Sequence, residues 1–225
     1  MIDLKNANRV DPLKRMVEKE TGANEFSPMD PPDAFAPPTI DAVPYAEMHL
    51  CLQKLVDEHR SFTKELSDFE GALNEFKTTG WTLNKEIEKK FSGFFSFMDD
   101  VLTKHHLKEE KILFPLLEKR LIENHEHSQG RFPKTAIDML EDDHVKVMQH
   151  MTLMFNFLAL GAQLPQAESA SLTFDVACEQ GLRLVELLRL HIFREDNIVF
   201  SKAQKYITAD EFAIMLTQFE RYAGY

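Results

Sequence analysis

The sequence predicts an all-α protein whose main part is an antiparallel up-down four-helix bundle. After about residue 45, glycine and proline become scarce and apolar residues recur at helical spacing. Four such stretches follow one another through short polar connectors, as in an up-down bundle. No run alternates between apolar and polar residues as a strand would. The predicted parts are an extended N-terminal arm over residues 1–44, the bundle over residues 45–206 and a short C-terminal helix in residues 207–225.

The predicted arm is rich in proline. Five of the ten prolines of the chain lie between Ser27 and Thr39. Proline has no backbone N–H to donate and disfavours helix in the residue before it. We therefore expect an extended segment here and not a folded domain.

The four helices of the bundle are bounded by polar connectors that contain glycine or proline. They are predicted to span about Ala46–Phe76, Thr82–Leu121, Lys134–Leu160 and Ala167–Tyr206. Gly161 is a predicted C-terminal cap of the third helix, because glycine adopts the left-handed conformation that often ends a helix. Pro115 predicts a kink within the second helix, since it cannot donate the usual backbone hydrogen bond.

The C-terminal helix has a recognisable start. Thr208 and Glu211 are three positions apart, the spacing of a capping box, in which each side chain bonds to the backbone N–H of the other residue. Apolar residues continue at helical spacing to about Tyr222. A short fifth helix is therefore predicted after the bundle.

The charge of the chain argues against two classes of partner. The formal net charge is −11, with 26 Lys and Arg against 37 Asp and Glu. Nucleic acids and anionic membrane surfaces both attract basic proteins, so neither is a predicted partner. No apolar run has the length of a membrane helix, and the charged N-terminus lacks the apolar core of a secretory signal. These features predict a cytoplasmic protein.

A repeat organises the histidines. His105 and His191 each begin the pattern H-x-x-x-E-[ED]-x-I-[LV]-F, and the second copy starts 86 residues after the first (191 − 105). His59 and His144 each follow two acidic residues and are 85 residues apart (144 − 59). The chain therefore resembles two copies of one helix pair, related by a pseudo-twofold axis.

The repeat has the spacing of metal ligands. Residues i and i+4 lie one turn apart on one helix face, so each H-x-x-x-E motif projects an imidazole and a carboxylate together. Such groups are costly in an apolar interior without a compensating cation. Nitrogen and oxygen ligands without thiolate suit iron or manganese, with zinc as an alternative. The predicted ligands are His59, His105, Glu109, His144, His191 and Glu195.

Two metal ions divide this set evenly. We expect His59 and His105 on one ion and the two histidines of the second half on the other. The two glutamates then bridge the ions. Octahedral iron with these ligands retains an open position for a small molecule.

The ordered motif H…H-x-x-x-E…H…H-x-x-x-E, with the run E-E-K-I-L-F-P from Glu109 to Pro115, resembles the hemerythrin-like, or HHE cation-binding, family over about residues 45–206. The resemblance implies a four-helix bundle around an oxo- or hydroxo-bridged di-iron centre that handles dioxygen, nitric oxide, peroxide or iron itself. Oxygen-carrying hemerythrins have a fifth imidazole one turn after the third-helix ligand, where this chain has Met148. His150 is two positions further and points elsewhere. This departure disfavours simple reversible oxygen carriage.

Three functions are compatible with the pattern. The leading hypothesis is a non-haem di-iron protein that binds or reduces dioxygen, peroxide or nitric oxide, and the residues do not decide whether it is an enzyme. The second is an iron- or gas-sensing module that signals through the N-terminal arm or C-terminal helix to a protein partner or to a second copy in a homodimer. Iron-cluster repair is less favoured, because the repair proteins of the family carry N-terminal adjacent cysteines that this chain lacks.

Several residues beside the predicted ligands have expected supporting roles. Glu58, Asp143 and Asp196 are predicted to orient imidazoles by accepting their second N–H, as metal-bound histidines usually require. His106 and Glu110 lie one position further round the helix from a predicted ligand. We interpret them as supporting or surface residues and not as ligands.

Overall fold

The computed structural model describes residues 42–223, and every regular element among them is helical. This part of the chain contains no strand, so the predicted all-α class is confirmed. Residues 1–41, which hold most of the predicted arm, lie outside the described residues, as do residues 224–225. None of the described helices combines the length and apolar character needed to cross a membrane.

Four long helical rods precede a shorter C-terminal helix. The first rod is Leu50–Thr78, after a 3-10 turn at Tyr45–Glu47. The second rod, residues 85–123, consists in order of Lys85–Phe97, the π-helical turn Met98–Leu102, Thr103–Lys108, the π-helical turn Glu109–Leu113 and Phe114–Glu123. The third rod is Ala136–Gln163, and the fourth, residues 167–206, consists of Ala167–Arg194, the π-helical turn Glu195–Val199 and Phe200–Tyr206. The C-terminal helix is Ala209–Ala223.

The apolar core has two parts. Cluster I consists of buried apolar residues within 48–56, 112–121, 137–140, 199–207 and 212–219. Cluster II consists of buried apolar residues within 62–76, 87–102, 147–154 and 178–188. Each rod therefore contributes to both clusters. The segment between the two contributions holds polar side chains in all four rods, and these are the segments that carry the predicted ligands.

The prediction that Gly161 caps the third helix is wrong. The rod continues to Gln163, and its C-cap is Leu164. Gly161 is buried inside the helix, where an added Cβ would lie 2.6 Å from the ring of Phe174 in the fourth rod. Close packing between two rods, and not the end of a helix, therefore explains the glycine.

The predicted capping box of the C-terminal helix is confirmed. The backbone N–H of Thr208 donates to Glu211 Oε2 at 2.9 Å, and the backbone N–H of Glu211 donates to Thr208 Oγ1 at 3.3 Å. Arg120 of the second rod also donates to Glu211 Oε1 at 2.5 Å. Because Phe212 and Phe219 are buried in cluster I, this helix belongs to the same core as the rods.

Gly181 allows three rods to approach one another closely. A Cβ there would lie 2.8 Å from Leu73 Cδ1 of the first rod and 2.8 Å from Met154 Sδ of the third. We expect Gly181→Ala to lower the free energy of unfolding by about 1–2 kcal/mol, because overpacking a core costs about 1–3 kcal/mol and alanine regains only about 0.5–1 kcal/mol over glycine within a helix. Urea unfolding followed by circular dichroism measures the change.

Gly93→Ala is the matched control. Gly93 is exposed within a helix, and a Cβ there meets nothing within 4 Å. Alanine should stabilise this position by about 0.5–1 kcal/mol, because glycine loses more backbone entropy on folding. Equal unfolding free energies for Gly181→Ala and the parent would contradict the proposed close packing.

Candidate metal centre

The structure brings the six predicted ligands together between the two apolar clusters. Their side chains are buried, and the most exposed of them, His144, has an exposed fraction of 4%. Potential ligand atoms lie within 4.8 Å of one another in two groups, and both groups contain Glu109. One group is His59, His105, Glu109 and Glu195, and the other is His106, Glu109, His144 and His191.

The histidines form two close pairs. His59 Nε2 and His105 Nε2 are 2.9 Å apart, and His144 Nε2 and His191 Nε2 are 3.1 Å apart. Each pair joins a lone histidine to the histidine of an H-x-x-x-E motif. These are the pairs expected from the repeat to share one metal ion each.

The two glutamates lie between the pairs. Glu109 places Oε1 3.2 Å from His105 Nε2 and Oε2 3.6 Å from His144 Nε2. Glu195 places Oε1 3.3 Å from His191 Nε2 and Oε2 3.2 Å from His59 Nε2. Each carboxylate therefore directs one oxygen to each histidine pair, which is the disposition that a bridging carboxylate requires.

A π-helical turn begins at each of these glutamates. The backbone N–H of Phe114 donates to the carbonyl of Glu109, and that of Phe200 donates to the carbonyl of Glu195. Proline does not cause these turns, because Pro115 of the first copy corresponds to Ser201 in the second (115 + 86). The irregularity lies before Pro115 and is common to both copies. Isolated π-helical turns are frequent at functional sites.

Carboxylates from neighbouring rods hold three of the imidazoles. His105 Nδ1 lies 2.7 Å from Glu58 Oε2, and His59 Nδ1 lies 2.7 Å from Asp196 Oδ1, so these two predicted hydrogen bonds are present. A carboxylate only accepts, so it fixes the proton on Nδ1 and leaves the Nε2 lone pair directed at the site.

In the second half of the repeat, a carboxylate holds only one of the two imidazoles of the histidine pair among the described residues. His144 Nδ1 lies 2.8 Å from Glu110 Oε1, which gives Glu110 the supporting role that its position predicted. Asp143 differs from the prediction, because its Oδ2 is 3.8 Å from His191 Nδ1 and accepts instead from Arg194 at 2.8 Å. His191 Nδ1 therefore has no hydrogen-bond partner among the described residues.

A family model described as the hemerythrin HHE cation-binding domain matches residues 52–203. This range contains both histidine pairs and both glutamates. The chain belongs to the hemerythrin HHE family. Comparisons with curated proteins and with solved structures find no match.

The donor set of this HHE domain fits a cation. Both carboxylate oxygens of Glu109 and of Glu195 are buried and have no hydrogen-bond partner among residues 42–223. The Nε2 atoms of His59 and His105 lie 2.9 Å apart, so at most one proton fits between them. Buried carboxylate oxygens without hydrogen bonds are unfavourable, and a metal ion bound between the carboxylates and the imidazoles relieves this cost.

The electrostatics of the site likewise favour positive charge. Burial opposes the charged form of His59, but contacts with Asp196 and Glu195 outweigh it and raise its pKa to about 9. His191 behaves similarly: burial opposes its charge, but Glu195 and Asp143 raise its pKa to about 10. Protons therefore compensate the carboxylates when no metal is bound, and a metal ion must displace them.

His106 lies beside the predicted ligands, so one of the two interpretations of its position is excluded. A surface position for it is wrong, because its exposed fraction is 8% and it belongs to the second group of potential ligands. Together with His144 it lines a groove of about 750 Å³ between the second and third rods. The groove brings solvent to the edge of the centre. In the sequence, only the position of His106 next to His105 indicates that it lies near the site. A supporting residue can have the same position.

Proposed function

We propose that the four rods form the antiparallel up-down bundle of the hemerythrin fold. Along the first and third rods the buried residues pass from cluster I to cluster II, and along the second and fourth rods they pass from cluster II to cluster I. Alternating direction is what an up-down bundle requires. The arrangement places every H-x-x-x-E motif and both lone histidines at the same level.

We further propose that the site holds two iron ions. His59 and His105 bind one ion, His144 and His191 bind the other, and the two glutamates bridge them. The observation that supports this assignment is that each carboxylate has one oxygen within 3.6 Å of each histidine pair. Manganese and zinc accept the same ligand types, so they are the alternative metals.

The proposed function is the binding or reduction of a small oxidant: dioxygen, peroxide or nitric oxide. Bound iron supplies redox chemistry and an exchangeable coordination position. The chain supplies the setting: Glu58, Glu110 and Asp196 fix three imidazole orientations, while the apolar clusters on both sides limit water. The groove beside His106 and His144 gives a small molecule a path to the edge of the site.

Metal analysis combined with spectroscopy tests the proposal. Purified protein should contain two irons per chain, and the oxidised form should show an absorption band from charge transfer to iron. Addition of nitric oxide to the reduced form should change its spectrum. A correctly folded protein that refuses iron, manganese and zinc would exclude the metal centre. A loaded centre that is inert to all three oxidants would exclude the proposed function alone.

Asp196→Ala tests the orientation of His59. Without its 2.7 Å contact to Asp196, the His59 ring loses its fixed tautomer, and we expect iron affinity to fall about 10–100-fold with stoichiometry unchanged at saturation. A competition titration against a chelator measures the affinity. Asp57→Ala is the matched control, because Asp57 is exposed and its carboxylate accepts from Tyr45 and Arg60. Equal losses in the two variants would contradict the orienting role.

A sensing function is the second candidate, supported by one chain of contacts. Lys108 pairs with Glu58, whose carboxylate holds His105, and the Lys108 ammonium also lies 5.9 Å from the ring centroid of Phe219 in the C-terminal helix. Hydrogen exchange of Ala209–Ala223, compared between metal-free and loaded protein, tests this connection. A sensor requires a change in protection there, and identical exchange rates would exclude signalling through this helix.

A further inference from the structure

His106 carries a buried polar atom that the structure leaves without a partner. Its side chain is 8% exposed, and Nε2 is buried without a hydrogen-bond partner in the described part of the chain. A buried nitrogen without a hydrogen-bond partner is costly, because it loses its hydrogen bond to water on folding and gains none in return. A residue that serves only for packing would avoid that cost with an apolar side chain of similar size.

The repeat itself supplies that apolar alternative. The position that corresponds to His106 in the second copy is Ile192 (106 + 86). The flanking positions keep their chemistry, because His105 corresponds to His191 and Glu109 to Glu195. His106 is therefore an imidazole that one half of the site has and the other half lacks.

The geometry directs this extra imidazole to one histidine pair. The His106 ring is stacked on that of His144, with centroids 3.7 Å apart, and its centroid is 5.8 Å from that of His191. A nitrogen of His106 lies within 4.8 Å of potential ligand atoms of Glu109, His144 and His191. Two atoms bound to one ion by bonds of about 2 Å lie at most about 4 Å apart, so side-chain movements of less than about 1 Å bring this set within reach of one ion.

We propose that His106 is a fifth imidazole ligand, bound through Nε2 to the metal held by His144 and His191. The proposal rests on the two-metal centre proposed above and adds to it. One metal then has three imidazoles and the other, held by His59 and His105, has two. Met148 does not supply the additional ligand, because it is 52% exposed and lines the groove.

Counting imidazole N–H protons in the Co²⁺-loaded protein tests the proposal. An imidazole bound to paramagnetic Co²⁺ shifts its remaining N–H proton far outside the usual spectral range, and the signal disappears in deuterium oxide. The parent protein should give one such signal for each of five histidines, namely His59, His105, His106, His144 and His191. Four signals with two Co²⁺ bound would overturn the proposal and leave the two-metal centre intact.

Variants identify the additional signal. His106→Leu should lose one signal and bind one of its two Co²⁺ ions at least 10-fold more weakly, while the other ion keeps its affinity. His150→Leu is the matched control, because His150 contacts Gln180 away from the site, and it should keep all signals. An unchanged signal count and affinity in His106→Leu would overturn the proposal. If that variant does not fold, the count in the parent protein decides alone.

The cobalt content of the same samples shows whether the metal centre is absent or only the fifth ligand is. A parent protein that binds no Co²⁺ would overturn the fifth ligand and contradict the metal centre together. Two bound ions with four signals would reject only the role of His106. Two bound ions with five signals, one of which His106→Leu removes, would support both.

Discussion

Replacement of Glu195 by alanine is expected to release both metal ions, whereas replacement of His105 by alanine releases one. The reason is the position of the carboxylate, whose two oxygens lie 3.3 Å from His191 Nε2 and 3.2 Å from His59 Nε2. His105 Nε2 belongs to one histidine pair only. Metal content per chain, measured after dialysis against a weak chelator, gives the stoichiometry of each variant.

The size of the effect distinguishes a ligand from a supporting residue. Removal of Glu195 should weaken binding of both ions by more than the roughly 10–100-fold loss typical of an orienting residue. Glu186→Ala is the matched control, because Glu186 is exposed on the same rod and should leave two ions bound. If Glu195→Ala kept one ion at full affinity, Glu195 would be a terminal ligand and the bridging assignment would fail.

The sequence could predict the main ligands because helical spacing is a local property. A four-residue interval places His105 and Glu109 on one face wherever the helix lies. The internal repeat then identified the second motif. Glu58 and Asp196 could also be predicted, since each lies beside a predicted ligand and carries the group that an imidazole N–H seeks.

Other features depend on contacts between rods, which leave little trace in a single sequence. A glycine near the end of a helix resembles a cap. The reason for glycine at position 161, however, is its close contact with the ring of Phe174. His106 lies one position round the helix from His105, and only its stacking on His144 assigns it to the site. The π-helical turns likewise cannot be predicted, because no particular residue type accompanies the extra residue that such a turn contains.

Withdrawal of metal is expected to remove several kcal/mol of stability. A ligand that binds only the folded state stabilises it by about 4 kcal/mol when its concentration is a thousand times its Kd. The four imidazoles and two carboxylates come from four rods, so unfolding separates them and abolishes the site. Urea unfolding of loaded and chelator-treated protein measures the difference. The chelator should have little effect on Glu195→Ala, which has already lost its metals.

This stability difference should widen as pH rises from about 6.5 to 9. In the metal-free protein the pKa of His59 is raised to about 9 and that of His191 to about 10, so both groups stabilise the folded state below their unfolded pKa of 6.5. That contribution is lost as pH rises through the folded pKa values. The affinity for metal, by contrast, increases as pH rises, because fewer protons compete for the imidazoles. A difference that narrows over this interval would contradict metal binding at His59 and His191.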